Sequence, residues 1–104
     1  MARKPRSGPA SDPEVLILAS LASGPKHGYG IMGDIEASVG VTLGPGTLYT
    51  AITRLVDRKL IAPDRSVGRQ RPYRLTPEGA KVLATQLRDM RRVASLGLRR
   101  LGFA

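Results

Sequence analysis

The sequence predicts a mainly α-helical chain that carries one small β-hairpin and ends in a long helix. Three observations predict it. Apolar residues recur at helical spacing in four separate stretches, each opened or closed by proline, glycine or a capping residue. Between the third and fourth stretches the period drops to two, in a segment with prolines at 63 and 72 and a glycine at 68. The fourth stretch has room for a helix of about 25 residues, roughly 38 Å at 1.5 Å per residue. That is longer than the core of a 104-residue chain can cover.

Taken in order, residues 1–10 are polar and basic with proline and glycine and are expected to form a disordered arm. Ser11-Asp12-Pro13-Glu14 reads as a capping box with proline in the first turn. The helix it starts, PEVLILASLA, is apolar nearly all round. Such a helix is buried on more than one side, by its own domain and, at Leu16, by a partner subunit. Ser23-Gly24-Pro25 stops it. In KHGYGIMGDIEASVG, residues Gly28, Met32, Ile35 and Val39 share one helical face. Glycines 28, 30 and 33 cost about 1 kcal/mol each relative to alanine, which is tolerable where another helix packs very closely. Gly40 is the expected stop, and Val41-Thr42-Leu43 a short extended piece.

The third helix opens on Gly44-Pro45-Gly46 and runs to about Lys59. Leu48, Ala51, Ile52, Leu55 and Val56 form its inner face. Thr47, Thr50, Thr53, Arg54 and Asp57 lie opposite, with Tyr49 on the boundary. Leu60-Ile61-Ala62 and Tyr73-Arg74-Leu75-Thr76 then read as two strands joined by a basic tip that carries Arg69 and Arg71. Pro63 and Pro72 confine the pair to edge positions, hence an isolated hairpin. Thr76-Pro77-Glu78 starts the last helix with an N-cap, a proline at the first position and an acid in the first turn. Along it Leu83, Leu87, Met90, Ala94 and Leu101 follow a heptad-like seam, with Gly97 and Leu98 at the missing step, which is read as a dimer interface, the other reading being intramolecular core. The order is that of a winged helix-turn-helix plus a long C-terminal dimerisation helix. The expected division is a basic arm over 1–10, a DNA-binding domain over 11–76 and the dimerisation helix over 77–104.

Charge points to the partner. The formal net charge is +9. Residues 1–52 hold four basic and four acidic side chains, and residues 53–104 hold thirteen and four, so the whole excess lies in the second half. A polyanion is the natural partner. Thirteen of the seventeen basic residues are arginine, which suits bidentate contacts to phosphates and guanine edges; genome base composition would produce the same excess. No helix combines a basic face with large aromatics, so a membrane surface is not expected. One histidine, no cysteine, no phosphate-binding glycine loop and no ligand cluster leave nothing for catalysis, a metal or a cofactor. No hydrophobic signal-peptide core follows the basic N-terminus, and a cytoplasmic protein is expected.

In a helix-turn-helix the second helix enters the major groove by its N-terminal residues. Gly46 leaves the first-turn N–H groups uncrowded for a phosphate. Thr47, Thr50 and Thr53 are small enough to let the helix lie deep, and Arg54 reaches a guanine edge or a phosphate. Two readings of Tyr49 stand: a phosphate contact at the flank, or a ring that closes the core with its hydroxyl in water. The threonines alone would also suit an ordinary solvated face. His27, just ahead of a helix, is a cap or a phosphate contact. Arg69, Arg71 and Arg74 on the hairpin would track the backbone or enter the minor groove. The rival is an adaptor or architectural nucleic-acid-binding protein with the same shape and no sequence readout.

HGYGI at 27–31, GPGTLYTAITRLVDRKLI at 44–61 and YRLTPEGAKVL at 73–83, in this order, resemble the PadR-like transcriptional regulators over about residues 14–90. The resemblance implies a homodimer paired through its C-terminal helices, bound to a two-fold operator on double-stranded DNA and usually repressing. It places Tyr29, Thr47, Tyr49 and the hairpin near DNA. It also implies that a small aromatic or cationic effector can bind between subunits and release the DNA. Thr50 stands where the family often has proline, and Gly44 where a Ser or Asp cap is common. The long helix carries no aromatic residue before Phe103, the residue type that an aromatic sandwich around an effector needs. The short C-terminus is expected to leave no room for a second effector domain.

Overall fold

Ile17 has no exposed surface and sits at the centre of the molecule, because its helix is apolar on every side and three other helices close around it. The computed structural model describes residues 11–64 and 72–103. In chain order the elements are α1 (Pro13–Leu21), α2 (Gly28–Val39), α3 (Pro45–Asp57), β1 (Ile61–Pro63), β2 (Tyr73–Leu75) and α4 (Pro77–Leu101). The expected basic arm lies outside the described residues.

α1 packs against α2, α3, α4 and β2 and buries Val15, Leu16, Ile17, Leu18, Ser20 and Leu21. Its cap is Asp12, one residue later than the capping box predicts: Pro13 occupies the first helical position, and the Asp12 carboxylate accepts from the Glu14 N–H at 2.9 Å. In α2 the buried face is Gly28, Ile31 and Ile35; Met32 is half-buried and Val39 is exposed. Only Gly28 meets the expected close neighbour, since Gly33 faces open space and Gly30 has just the Lys26 Cβ at 3.5 Å. Gly40 ends the helix in the left-handed region at φ 71°.

Val41-Thr42-Leu43 forms no strand; Leu43 turns into the core and the segment crosses to α3 as irregular chain. The third strand-like contact comes instead from Lys26, whose N–H donates to the Tyr73 carbonyl at 3.1 Å while the Tyr73 N–H donates to the Lys26 carbonyl at 2.9 Å. The chain between α1 and α2 thereby holds β2 on its outer edge. α3 buries Leu48, Ala51, Ile52 and Leu55. It stops at Asp57 because Lys59 turns left-handed at φ 61°. The Lys59 N–H returns to the Val56 carbonyl at 2.9 Å and that of Leu60 to the Leu55 carbonyl at 3.0 Å. With its N–H used there, Leu60 starts no strand, and the antiparallel ladder pairs Ile61 with Leu75, Ala62 with Arg74 and Pro63 with Tyr73.

α4 begins at Thr76, whose hydroxyl oxygen accepts from the Gly79 N–H at 3.0 Å and faces the Lys59 and Leu60 carbonyls at 2.8 and 2.9 Å. The hairpin, the end of α3 and the start of α4 meet at this node. Leu83 belongs to the core, whereas most of α4 beyond Met90 stands clear of it. The radius of gyration is accordingly 15.1 Å, against about 13 Å for a compact chain of this length.

Candidate nucleic-acid interface

α2 and α3 present their N-termini without side-chain caps. His27 precedes α2 in extended geometry and Gly44 precedes α3 in the same way; neither makes a capping hydrogen bond, and neither helix has an acid in its first turn. α1 and α4 differ on both counts, with Asp12 and Thr76 as caps and Glu14 and Glu78 in their first turns. The early N–H groups of α2 and α3 are therefore open to an anion, and the positive end of each helix is uncompensated. Gly46 has open space where a side chain would begin.

The outer face of α3 is arranged as its wheel predicts. Thr47, Thr50, Thr53, Arg54 and Asp57 are exposed, while the opposite face is core. Thr53 is the exception in chemistry: its hydroxyl donates to the Tyr49 carbonyl one turn back at 2.9 Å, so its proton is committed within the helix. Arg54 makes no ion pair among the described residues and keeps all its donors for a ligand. Tyr49 lies across the start of α2. A Cβ on Gly28 would collide with its hydroxyl and stand 2.8 Å from its Cζ. Tyr49 is 41 % exposed, so its side chain covers the start of α2 and the residue still reaches solvent. Both sequence readings of Tyr49 are compatible with this position. Tyr29, one residue beyond that contact, is 73 % exposed beside the uncapped His27.

On the hairpin, Arg74 points outward as the alternation predicts, but Asp64 stands 4.0 Å from it and partly offsets its charge. Arg69 and Arg71 lie outside the described residues. The approach between α1 and α2 is fixed by a polar cluster that the sequence pattern did not announce. The buried Ser20 hydroxyl donates to Asp34 at 2.6 Å, the Ser38 hydroxyl donates to the same carboxylate at 3.1 Å, and Lys26 donates to Ser23 at 2.7 Å and to the Ser20 carbonyl. These hydrogen bonds, first that of Ser20 and then that of Ser38, hold the Asp34 carboxyl below its ordinary value; partial burial opposes them and the Lys26 charge assists. Lys26 thus anchors both β2 and the entry to α2.

The seam residues of α4 divide. Leu83, like Leu16 on α1, is covered by the protomer's own core. Met90 is half-buried against that core. Leu87, Ala94, Leu98 and Leu101 are exposed, Leu101 at 67 %, and Val93, Leu96 and Phe103 add apolar surface that the heptad spacing did not include. No helix among the described residues is long and apolar enough to cross a membrane.

Residues 17–85 match the family model of the transcriptional regulator PadR-like family. A PadR family transcription regulator from Clostridium difficile R20291 is 26 % identical, with a TM-score of 0.75 over 86 % of this chain and 97 % of that one. A protein from Streptococcus mutans UA159, 24 % identical, shares the fold at a TM-score of 0.73 over 99 % of this chain and 97 % of its own. An uncharacterized 37.1 kDa protein in transposon TN4556 of Streptomyces fradiae is 44 % identical over 84 residues, which are 81 % of this chain and 24 % of that protein. The chain therefore spans about a quarter of that relative's length.

Proposed function

Because the chain belongs to the PadR-like family of transcriptional regulators, we propose that it is a sequence-specific DNA-binding protein that acts as a homodimer in the cytoplasm and represses the gene it controls. The observation that carries the reading is the face of α3. An uncapped, glycine-led N-terminus stands beside exposed Thr47, Thr50 and Arg54, with Tyr49 and Tyr29 flanking the adjoining uncapped start of α2. That combination offers N–H groups and phenol hydroxyls to phosphates, and a guanidinium with small hydroxyls to base edges. Arg74, with Arg69 and Arg71, supplies the hairpin's contact to the backbone.

The exposed apolar surface of α4 supports the dimer. Leu87, Ala94, Leu98 and Leu101 fall on one face and are exposed among the described residues, and a second copy of the same helix would cover them. Two α3 helices related by that two-fold axis read a two-fold operator. A small-molecule effector between the subunits would act by changing the spacing of the two reading heads.

A mobility-shift titration at about 150 mM salt, with the DNA immediately upstream of the gene, tests the reading. Two protomers should bind per site and resist competitor DNA. Arg54→Ala should lose about 1–3 kcal/mol at one base position; an equal loss on every sequence would remove the base-reading role and favour an architectural or adaptor protein. Leu98→Glu with Leu101→Glu should yield monomers with weakened operator binding, and an unchanged mass in light scattering refutes the α4 interface.

A further inference from the structure

The second half of α4 carries a charge pattern that the reading above leaves unused. Arg88, Arg91, Arg92, Arg99 and Arg100 stand there with one acid, Asp89. At 100° per residue, Arg88, Arg92 and Arg99 fall within about 40° of one another, with Ser95 beside them, and their line is turned roughly 140° away from Leu87, Ala94 and Leu101 and about 100° from Leu98; Arg91 stands between this row and the seam, about 20° from Leu98. Arg88, Arg91, Arg92, Ser95 and Arg99 line a shallow, open groove of about 390 Å³.

Few of these charges are balanced within the helix. Asp89 pairs with Arg92 at 2.9 Å, and Arg88 and Arg91 have no acidic partner among the described residues. The places one turn ahead, where glutamate would pair best, are held by Ala84 before Arg88, Leu87 before Arg91, Arg88 before Arg92 and Ser95 before Arg99. Arg88 instead faces like charge at both three and four residues' distance, which destabilises a helix. Arg99 and Arg100 in the last turn are favoured by the helix dipole; Arg88, Arg91 and Arg92 lie too far from that end to share the benefit.

A shallow, exposed row of guanidinium groups has too little enclosure for a small ligand and matches an extended polyanion, which Arg holds by bidentate hydrogen bonds to phosphate. From Arg88 to Arg99 the helix rises about 17 Å, the length of duplex axis that carries roughly five phosphates of one strand. We propose that this face of α4 is a second, sequence-independent docking surface that holds the backbone of duplex DNA outside the site read by α3. The row of Arg88, Arg92 and Arg99 lies on the side of α4 turned from the Leu87, Ala94 and Leu101 seam, with Arg91 at its rim; its freedom in a dimer rests on the proposed α4 pairing, and the identity of the polymer on the DNA-binding reading.

The test is fluorescence anisotropy of the full chain with a 40-base-pair duplex of random sequence, titrated at several salt concentrations. Replacing Arg88, Arg92 and Arg99 together by Gln should lower the slope of log affinity against log salt by about 2 to 3 per protomer, with helicity and dimer mass retained. Replacing the same three by Lys should restore most of the slope, because the contact is to phosphate charge. Arg54→Ala should leave the random-sequence slope within about one unit of wild type. An unchanged slope in the Gln variant overturns the proposal, as does a Lys variant that behaves like the Gln variant. Displacement of the duplex by structured RNA or polyglutamate at lower concentration than by unlabelled duplex overturns the choice of DNA. A protein that shows the slope loss but no preference for its upstream fragment would sink the operator reading and leave this surface standing.

Discussion

Two glycine-to-alanine substitutions in this chain should have opposite signs, and the difference measures how tightly the hairpin is seated on α4. At Gly79 an added Cβ runs into the Leu60 carbonyl oxygen, and it stands 2.9 Å from both the Leu60 carbonyl carbon and the Leu75 Cδ1. Leu75 can rotate away; the Leu60 carbonyl cannot, because it also accepts from the Thr76 N–H at 3.1 Å and faces the Thr76 hydroxyl. Overpacking of this kind costs about 1–3 kcal/mol, and backbone as the neighbour places Gly79→Ala towards the upper end. Helix propensity returns roughly 1 kcal/mol. The net expectation is a loss of about 1–2 kcal/mol, or on the order of 5–15 °C in Tm for a domain of this size. At Gly33, within α2, a Cβ meets nothing within 4 Å. Gly33→Ala should therefore gain up to about 1 kcal/mol. Urea unfolding followed by circular dichroism, at one fixed protein concentration, gives both values. A Gly79→Ala protein as stable as wild type would refute the close seating of Leu60 on α4 and the node built around Thr76.

Lys59→Gly should raise stability by about 1 kcal/mol, because the residue is left-handed at φ 61° and glycine adopts that geometry without the Cβ penalty; a lower midpoint in the same urea assay would contradict the Schellman-type end of α3. Asp34 supplies a pH dependence. Its folded carboxyl is held below the ordinary value, so its contribution is present above about pH 4 and is lost as the pH falls through the depressed folded value. Asp34→Asn should flatten the fall of stability with acid below about pH 4, and an acid limb that keeps its wild-type steepness would put the titrating group elsewhere. Gly44→Asp should stabilise α3 by a few tenths of a kcal/mol as a better cap. It should also weaken operator binding by placing a carboxylate where a phosphate is expected; shift assays that show equal or tighter binding would place the DNA away from that helix end.

Local chemistry was legible in the sequence and non-local backbone contact was not. Thr76-Pro77 and Gly40 act within one turn of chain, and each does in the structure what its residue type prescribes. The inner and outer faces of α3 separate on a helical wheel because thirteen regular residues leave no doubt about which side is apolar. Glycines 28, 30 and 33 look alike in sequence, yet only the first lies under Tyr49, and that depends on where α3 crosses α2. The bridge from Lys26 to Tyr73 uses main-chain groups that every residue possesses, so no side chain marks it. Val41-Thr42-Leu43 has strand-like composition and no partner to pair with, since Lys26 already holds the exposed edge of β2. In the candidate interface, exposure of Thr47, Thr50 and Arg54 followed from period alone. The commitment of the Thr53 hydroxyl to the Tyr49 carbonyl depends on one rotamer and did not.

The distribution of caps separates the helices that frame the core from those proposed to meet DNA. α1 and α4 have a capping side chain and a first-turn acid, and together they frame the core through Ile17, Leu18 and Leu83. α2 and α3 have neither; the omission forgoes about 0.5–2 kcal/mol at α2 and a few tenths of a kcal/mol at α3, where Gly44 is itself a tolerable cap, in a chain whose total stability is of the order of 5–15 kcal/mol. A single Ser or Asp at position 27 or 44 would recover much of it. Acidic caps and first-turn acids would also neutralise the positive ends of the two helices and repel a phosphate brought to them. The core compensates from behind: Leu48, Ile52 and Leu55 fix α3, while Tyr49 over Gly28 and the Ser20–Asp34 hydrogen bond fix α2. Both helices are thus held by packing and polar locks on their inner sides, and their front ends are left without side-chain caps, as the proposed contact with phosphate requires.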